Sequence, residues 1–355
     1  MTFSKISIII TAILVIFLIS FFGYQLFFKK AAISGTKSNL TKNSLNQKNS
    51  CSLPQAENVF QGPPFKNIFI ADFGENKVYG ISRDNKKNFE YDGASPSLSW
   101  EKQFWVAEYV SIAPDGNLIV TDGQGQKVVK IDRATKKILW EYGHREKPGN
   151  APSYLHAPDL AFQTKEGGIL INDGNNRRVI IVDPKTNQIV WQYGHNMAMG
   201  SKPGYLMGNT FAAEMPDKNI FITDTIQKKF FIISRATKEI VWQWQKSDLK
   251  WPQHVSFTPQ GNFVFTDRQT GNLYEINRNG DIVWQFISDK KNPLYFSYPV
   301  DIFKLKNNNY LVADAGQKRI IELNPSDNKI VWELGNGKPL KEDVFGFLSN
   351  IAIEE

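Results

Sequence analysis

One cysteine, Cys51, stands in 355 residues, which excludes an internal disulfide framework. Its flank, Lys-Asn-Ser-Cys, lacks the apolar residues expected before a lipidated cysteine. There is no His-Glu-x-x-His, no paired Cys, no Gly-rich loop followed by Lys and Ser/Thr, and no Gly-x-Ser-x-Gly. The usual signatures of zinc proteases, phosphate-loop enzymes and serine hydrolases are therefore missing. Acidic residues are absent from positions 1–50, which hold six lysines (5, 29, 30, 37, 42, 48). The other 305 residues carry 36 basic and 35 acidic side chains, so six of the seven net positive charges belong to the tail. A nearly neutral body without a basic stripe argues against nucleic acid as a partner.

What is present begins with Ile6 to Phe28, 23 largely apolar, uncharged residues between Lys5 and Lys29-Lys30. At about 1.5 Å per helical residue this segment spans the roughly 30 Å hydrocarbon core of a bilayer. A cleaved signal peptide would have a shorter apolar core and small residues at the cut; Ala32 and Ser34 could supply it, but Lys29-Lys30 intervene. The expectation is an uncleaved membrane anchor over 1–30, with the membrane as partner through residues 6–28. The positive-inside rule alone leans toward a cytoplasmic body, whereas an N-terminal segment with almost nothing before it usually exports the large domain behind it. An extracytoplasmic body, at the cell surface or in the periplasm, is expected. Residues 31–58 are rich in Ser, Thr, Asn, Gln and Lys and read as a flexible tether.

The body, 59–355, repeats one phrase. DGNNRRVIIVDPKTNQIVWQYG from Asp173 matches DGQGQKVVKIDRATKKILWEYG from Asp122 and DTIQKKFFIISRATKEIVWQWQ from Asp224. Looser copies start at Asp72, Asp267 and Asp314, giving spacings of 50, 51, 51, 43 and 47 residues. Backwards from each Asp a further apolar run appears, as in Val110-Ser-Ile-Ala-Pro-Asp-Gly-Asn and Val255-Ser-Phe-Thr-Pro-Gln-Gly-Asn. Each unit thus has four strands, A to D, with B ending on the Asp. Four-stranded units of this length indicate a β-propeller. The first unit starts at Lys66 with strand B, and the chain ends in Asn350-Ile-Ala-Ile-Glu, an orphan of strand-A type. Ring closure resolves both. The fold expected is all-β: a six-bladed propeller of four-stranded blades, the C-terminal strand completing the first blade, preceded by one transmembrane helix.

The Trp of strand D (140, 191, 242, 284 and 332, with Phe89 in the first blade) reads as packing between blades. The repeating Asp reads as a turn cap. The phrase Asp132-x-x-Thr135-x-x-x-x-Trp140, matched by Asp183/Thr186/Trp191 and Ser234/Thr237/Trp242, resembles the blade repeat of the PQQ-like, quinoprotein-type propellers. Six blades and Trp-x-Tyr-Gly endings look similar to the arylsulfotransferase-type and NHL-type propellers, over residues 66–355. In arylsulfotransferase-type enzymes the resemblance implies sulfuryl transfer through a channel histidine, helped by further His and Arg. In quinone-cofactor members it implies eight blades and metal-binding carboxylates. Six blades are counted here and no such carboxylate set is legible, so neither cofactor nor metal is expected.

Of four histidines, His144 and His195 recur at Tyr-Gly-His, each opening a loop with Lys-Pro-Gly inside, and read as inherited loop structure. His156 falls near the rim. His254 does not repeat. Strand A lines a propeller's channel, and the D–A and B–C turns share one face. The residues entering strand A therefore ring the channel mouth: Tyr109, Asp159, Phe211, His254, Asp301 and Asn350, beside Glu108, Thr210 and Gln253. Two carboxylates, a His and a Tyr could be a metal or acid–base site, or the polar lining of a water-filled channel. The long D–A loops carry Trp100, Trp105, Tyr154, Met197, Met199, Tyr205, Tyr295, Phe296 and Phe345, which suit a partner surface or cover the blade tops. Three functions are expected, in descending order. The first is a membrane-anchored binding or scaffolding module for a protein or small-molecule ligand on the loop-rich face. The second is an arylsulfotransferase-type enzyme with His254 as the catalytic acceptor. The third is a quinoprotein oxidoreductase.

Overall fold

The computed structural model describes residues 63–208, 210–335 and 346–355. The expected anchor and tether, with Cys51 and Phe345, lie outside the described residues; within them no helix is long and apolar enough to cross a membrane. The described residues form six antiparallel sheets of four strands each. The innermost strands are Leu348–Glu354, Ala107–Ile112, Pro158–Gln163, Thr210–Glu214, Pro252–Phe257 and Pro299–Lys304. Neighbouring blades meet through them in chain order, the first blade against both the second and the sixth. The C-terminal strand pairs antiparallel with Asn67–Asp72, so the ring closes as the repeat demands.

Strand B is buried along its whole length in every blade. Its near-continuous apolar sequence follows from that, because both sheet faces are covered by neighbouring blades. Strand D is the outer edge and alternates. Its repeating Trp does more than fill space: the indole N–H reaches the next blade's C–D turn. Trp140 donates to Asn187 Oδ1 at 2.7 Å, Trp191 to the Arg235 carbonyl at 2.9 Å and Trp242 to the Arg278 carbonyl at 2.8 Å. Trp332 donates to the Arg83 carbonyl at 3.0 Å, which latches the sixth blade to the first. The Asp/Thr pair of the repeat builds the turn that receives these bonds, as where Asp132 Oδ1 accepts from Thr135 N at 2.7 Å and Oγ1 at 2.8 Å.

One residue before each Trp the C–D ladder slips, leaving Leu139, Val190, Val241, Val283 and Val331 unpaired, and Asn88 in the first blade. Such bulges break up an edge that would otherwise template another strand. The blade aspartates are buried and tie the incoming D–A loop to the B–C turn. Asp122 accepts from Trp105 N and Val106 N, both at 2.9 Å, and from Gly125 N at 2.8 Å. Asp72 holds Gly346 N at 2.8 Å and Phe347 N at 3.0 Å, reaching across the chain's closure. The turn-cap expectation therefore covers half of their work; the other half fixes where strand A begins.

Candidate functional site at the channel mouth

Strand A enters the ring with a fault in its register. In the second blade Ala107 faces Asp122 but Tyr109 faces Thr121, so Glu108 is an extra residue. In the third, Pro158 faces Asp173 and Leu160 faces Asn172, which makes Asp159 the extra residue. Asp159 is thus the counterpart of Glu108, and Leu160 stands where Tyr109 stands. The fifth blade has a wider slip, between Pro252 and Val255, that includes Gln253 and His254. Bulges of this kind re-aim side chains next to sites. The fourth blade runs without a fault, and Phe211 pairs directly with Thr223.

Five of the six sequence-predicted residues converge. His254 and Asp301 are buried, and Nδ1 of the imidazole lies 2.6 Å from Asp301 Oδ1. The other oxygen, Oδ2, accepts from Ile351 N at 2.8 Å and from Asn350 Nδ2 at 3.2 Å. Asn350 in turn accepts from Val110 N at 2.7 Å. The Tyr109 ring meets His254 edge-on, centroids 5.6 Å apart, and Phe211 packs on it at 5.2 Å. Tyr109 belongs to the second blade and His254 to the fifth, on opposite sides of the ring, so their contact bridges the ring's axis at this level.

The sixth residue, Asp159, lies with Glu108 one position nearer the loops. Asn172 holds it through Nδ2 at 2.9 Å and links it to Thr210, whose Oγ1 donates to Asn172 Oδ1 at 2.5 Å. Both carboxylates occupy space that a side chain would fill. A Cβ on Gly123 would stand 2.0 Å from Glu108 Oε2, and one on Gly174 would stand 2.5 Å from Asp159 Oδ2. These two glycines are more than turn residues.

Arg268 completes the cluster, and no sequence motif marks it. Its Nη2 lies 3.4 Å from His254 Nε2, and its guanidinium sits over the Tyr298 ring at 5.6 Å. It follows the blade aspartate Asp267, where the other copies have Phe73, Gly123, Gly174, Thr225 and Ala315. The rule that singled out His254, that function lies where copies disagree, would have found it one column further on.

The electrostatics follow from burial. Desolvation raises Glu108 to about 7, against the pull of Arg268 and with a smaller push from Asp122. Asp159 is raised well above the ordinary carboxylate range, first by desolvation and then by Glu108. Desolvation lowers His254, opposed by Asp301 and reinforced by Arg268. The Tyr109 hydroxyl is raised, again mainly by burial. At neutral pH the site therefore holds a neutral imidazole whose Nδ1–H donates to Asp301, leaving the Nε2 lone pair toward Arg268. Opposite it are carboxyl groups able to hold protons. That is a base and acids in one largely enclosed place, with His254 and Asp301 buried and Glu108 and Asp159 half-buried.

His144 and His195 belong elsewhere. Each packs on a tyrosine of its own loop, Tyr154 at 4.4 Å and Tyr205 at 4.2 Å. Among the described residues, no group of three His, Cys, Asp or Glu side chains is placed to hold a metal ion.

Comparison with known proteins agrees with the repeat. The peptidyl-glycine alpha-amidating monooxygenase of Mus musculus is 22% identical over 297 residues, 75% of this chain and 30% of its own length. A probable peptidyl-alpha-hydroxyglycine alpha-amidating lyase of Caenorhabditis elegans, pgal-1, is 30% identical over 122 residues, 34% of this chain and 33% of its own. The chain thus spans about a third of the curated relatives it matches. Among solved structures, a protein of unknown function from Bacteroides caccae superposes with a TM-score of 0.59 at 15% identity, covering 82% of this chain and 99% of that one. The virginiamycin B lyase of Staphylococcus aureus gives 0.53 at 18%, covering 76% and 80%. A chain of the nidogen/laminin complex gives 0.55 at 13%, covering 81% and 98%. These likenesses establish the fold. The family model described as outer membrane protein assembly factor BamB matches residues 62–286, and the chain belongs to that family of PQQ-type repeat propellers.

Proposed function

We propose that the channel mouth is a general acid–base site and that the propeller is a lyase-type enzyme. The observation that carries this reading is the His254–Asp301 pair at 2.6 Å, set among half-buried Glu108, Asp159 and Arg268. Elimination needs one group to take a proton and another to give one as a bond breaks. His254 Nε2 accepts the proton from the substrate. Glu108, protonated, delivers one to the leaving group. The substrate parts into two pieces with no net gain or loss of electrons. The relative named as an amidating lyase supports this class and suggests a first substrate. A model peptidyl-α-hydroxyglycine is incubated with the purified chain, and release of the peptide amide is followed. Turnover abolished by His254→Ala and strongly reduced by Asp301→Asn is expected. No turnover by the unaltered chain sinks the reading for that substrate. Parallel assay of transfer from an aryl sulfate to a phenol tests the arylsulfotransferase alternative, in which His254 takes up the group.

A second reading rests on its own observation. Trp100, Trp105, Met197 and Met199, all on D–A loops of the mouth face, are 51–60% exposed. Large apolar side chains collected on loops suit a protein partner, so the body could act as a binding or scaffolding module. In either reading we take residues 6–28 to tether the body at a membrane, with the propeller extracytoplasmic. A fusion reporter on the C-terminus, active only outside the cytoplasm, tests that orientation.

A further inference from the structure

Arg268 is the one charged residue in a column otherwise filled by Phe, Gly, Gly, Thr and Ala. Its guanidinium is only partly exposed, and its Nε is buried with no hydrogen-bond partner. Five other arginines of the body are ion-paired, Arg83 with Glu322, Arg133 with Glu354, Arg145 with Glu146, Arg178 with Asp173 and Arg235 with Glu214, whereas Arg177, Arg278 and Arg319 share with Arg268 the lack of a carboxylate at ion-pair distance among the described residues. Among the described residues, no carboxylate lies within ion-pair distance of Arg268. What it has instead is a long contact to a neutral imidazole and a tyrosine face. A half-buried guanidinium with no carboxylate in direct contact keeps its planar fork available, and that fork matches a carboxylate.

We infer that Arg268 is the anion-recognising residue of the channel mouth, and that the site takes a ligand bearing a carboxylate. This rests on the reading of the mouth as a ligand site and adds the ligand's chemistry. The surroundings make binding proton-linked. Glu108 is faced by Arg268, by Asp122 at the end of its neighbouring strand and by Asp159 across the blade boundary; Asp159 is faced by Glu108, Arg268, Asp173 and Arg177. His254 is faced by Asp301 and Arg268, and Tyr109 by Asp301. An anion arriving at Arg268 favours the protonated forms of Glu108 and Asp159, which can then donate to it. With Glu108 titrating at about 7, affinity weakens as pH rises through neutrality.

Benzoate is the probe, with benzamide and benzylammonium as neutral and cationic counterparts. Calorimetry on the purified full chain at pH 6 and pH 8 reads binding without any need for turnover. Failure of the lyase assay and failure of this one are therefore separate events. Benzoate is expected to bind at millimolar concentration or below, more tightly at pH 6, with benzamide and benzylammonium markedly weaker. Arg268→Gln lowers benzoate affinity by about tenfold or more, and Arg268→Lys restores part of it. Glu108→Gln flattens the difference between the two pH values. Circular dichroism on each variant separates loss of binding from loss of fold. Three outcomes overturn the inference: no benzoate binding at either pH, benzylammonium binding more tightly than benzoate, or a folded Arg268→Gln chain that binds benzoate unchanged.

Discussion

Replacing Asn350 by Ala tests the closure of the ring and the support of the site together. Asn350 is fully buried in the closing strand. It accepts from Val110 N of the second blade at 2.7 Å and donates to Asp301 Oδ2 of the sixth at 3.2 Å. One amide thus holds three blades. Alanine leaves the Val110 N–H unsatisfied in a place closed to water, which costs about 1–3 kcal/mol. It also removes one hydrogen bond from a buried carboxylate, worth about another 1.5 kcal/mol. A loss near 3 kcal/mol results, large against the total stability of a folded chain. Urea unfolding followed by tryptophan fluorescence at pH 7 measures it. Asn350→Asp should lose more at pH 8 than at pH 5, since it faces Asp301 with a second carboxylate only when ionised. A change below about 0.5 kcal/mol for Asn350→Ala, the ordinary range of surface substitutions, would refute this account of how the first blade is sealed.

Two further outcomes concern the mouth. Gly123→Ala places a Cβ 2.0 Å from Glu108 Oε2, with the next backbone atom 3.2 Å away at the Pro158 carbonyl. The flexible carboxylate yields rather than the backbone. Stability should fall by about 1–3 kcal/mol, while the pH dependence of benzoate binding flattens as it does in Glu108→Gln. Glu108→Gln also changes stability against pH. The folded value of Glu108 is raised from 4.5 to about 7, so its contribution is fully present below 4.5 and is lost as pH rises through 7. The variant should be more stable than the parent at pH 8, by up to about 3 kcal/mol, with no such gain at pH 4. Urea unfolding at both pH values checks it, and parallel profiles for the two chains count against the desolvated Glu108.

The blade was easy to read because it repeats. Trp191 bonds to the next blade and Asp173 pins the loop entering its own; both tasks recur around the ring, so their columns recur and the count of six emerges from them. The orphan Asn350-Ile-Ala-Ile was legible for the same reason, since a lone strand A beside a unit lacking one has a single place to go. The site was harder. His254 and Asp301 stood out as departures from the repeat. The bulges that insert Glu108 and Asp159 shift their strands by one residue, and an alignment by apolar pattern hides that shift. It put Asp159 in the column of Tyr109, which Leu160 occupies. Arg268 follows an aspartate whose role looked purely structural, and its closeness to His254 depends on the register slip between strands A and B of the fifth blade, which the residue pattern does not show. Burial sets which groups hold protons, and no local pattern reports burial at a channel mouth.

The edge-on contact of Tyr109 with His254 joins opposite blades across the axis and has a consequence for traffic. A tunnel open at both ends would let a reactant enter from one side and a product leave from the other. With the axis bridged at this depth by two rings, a ligand that reaches Arg268 and His254 from the mouth face comes and goes past the same loops, those carrying Trp100, Trp105, Met197 and Met199. In the proposed enzyme, whatever settles on those loops governs access to the residues beneath them.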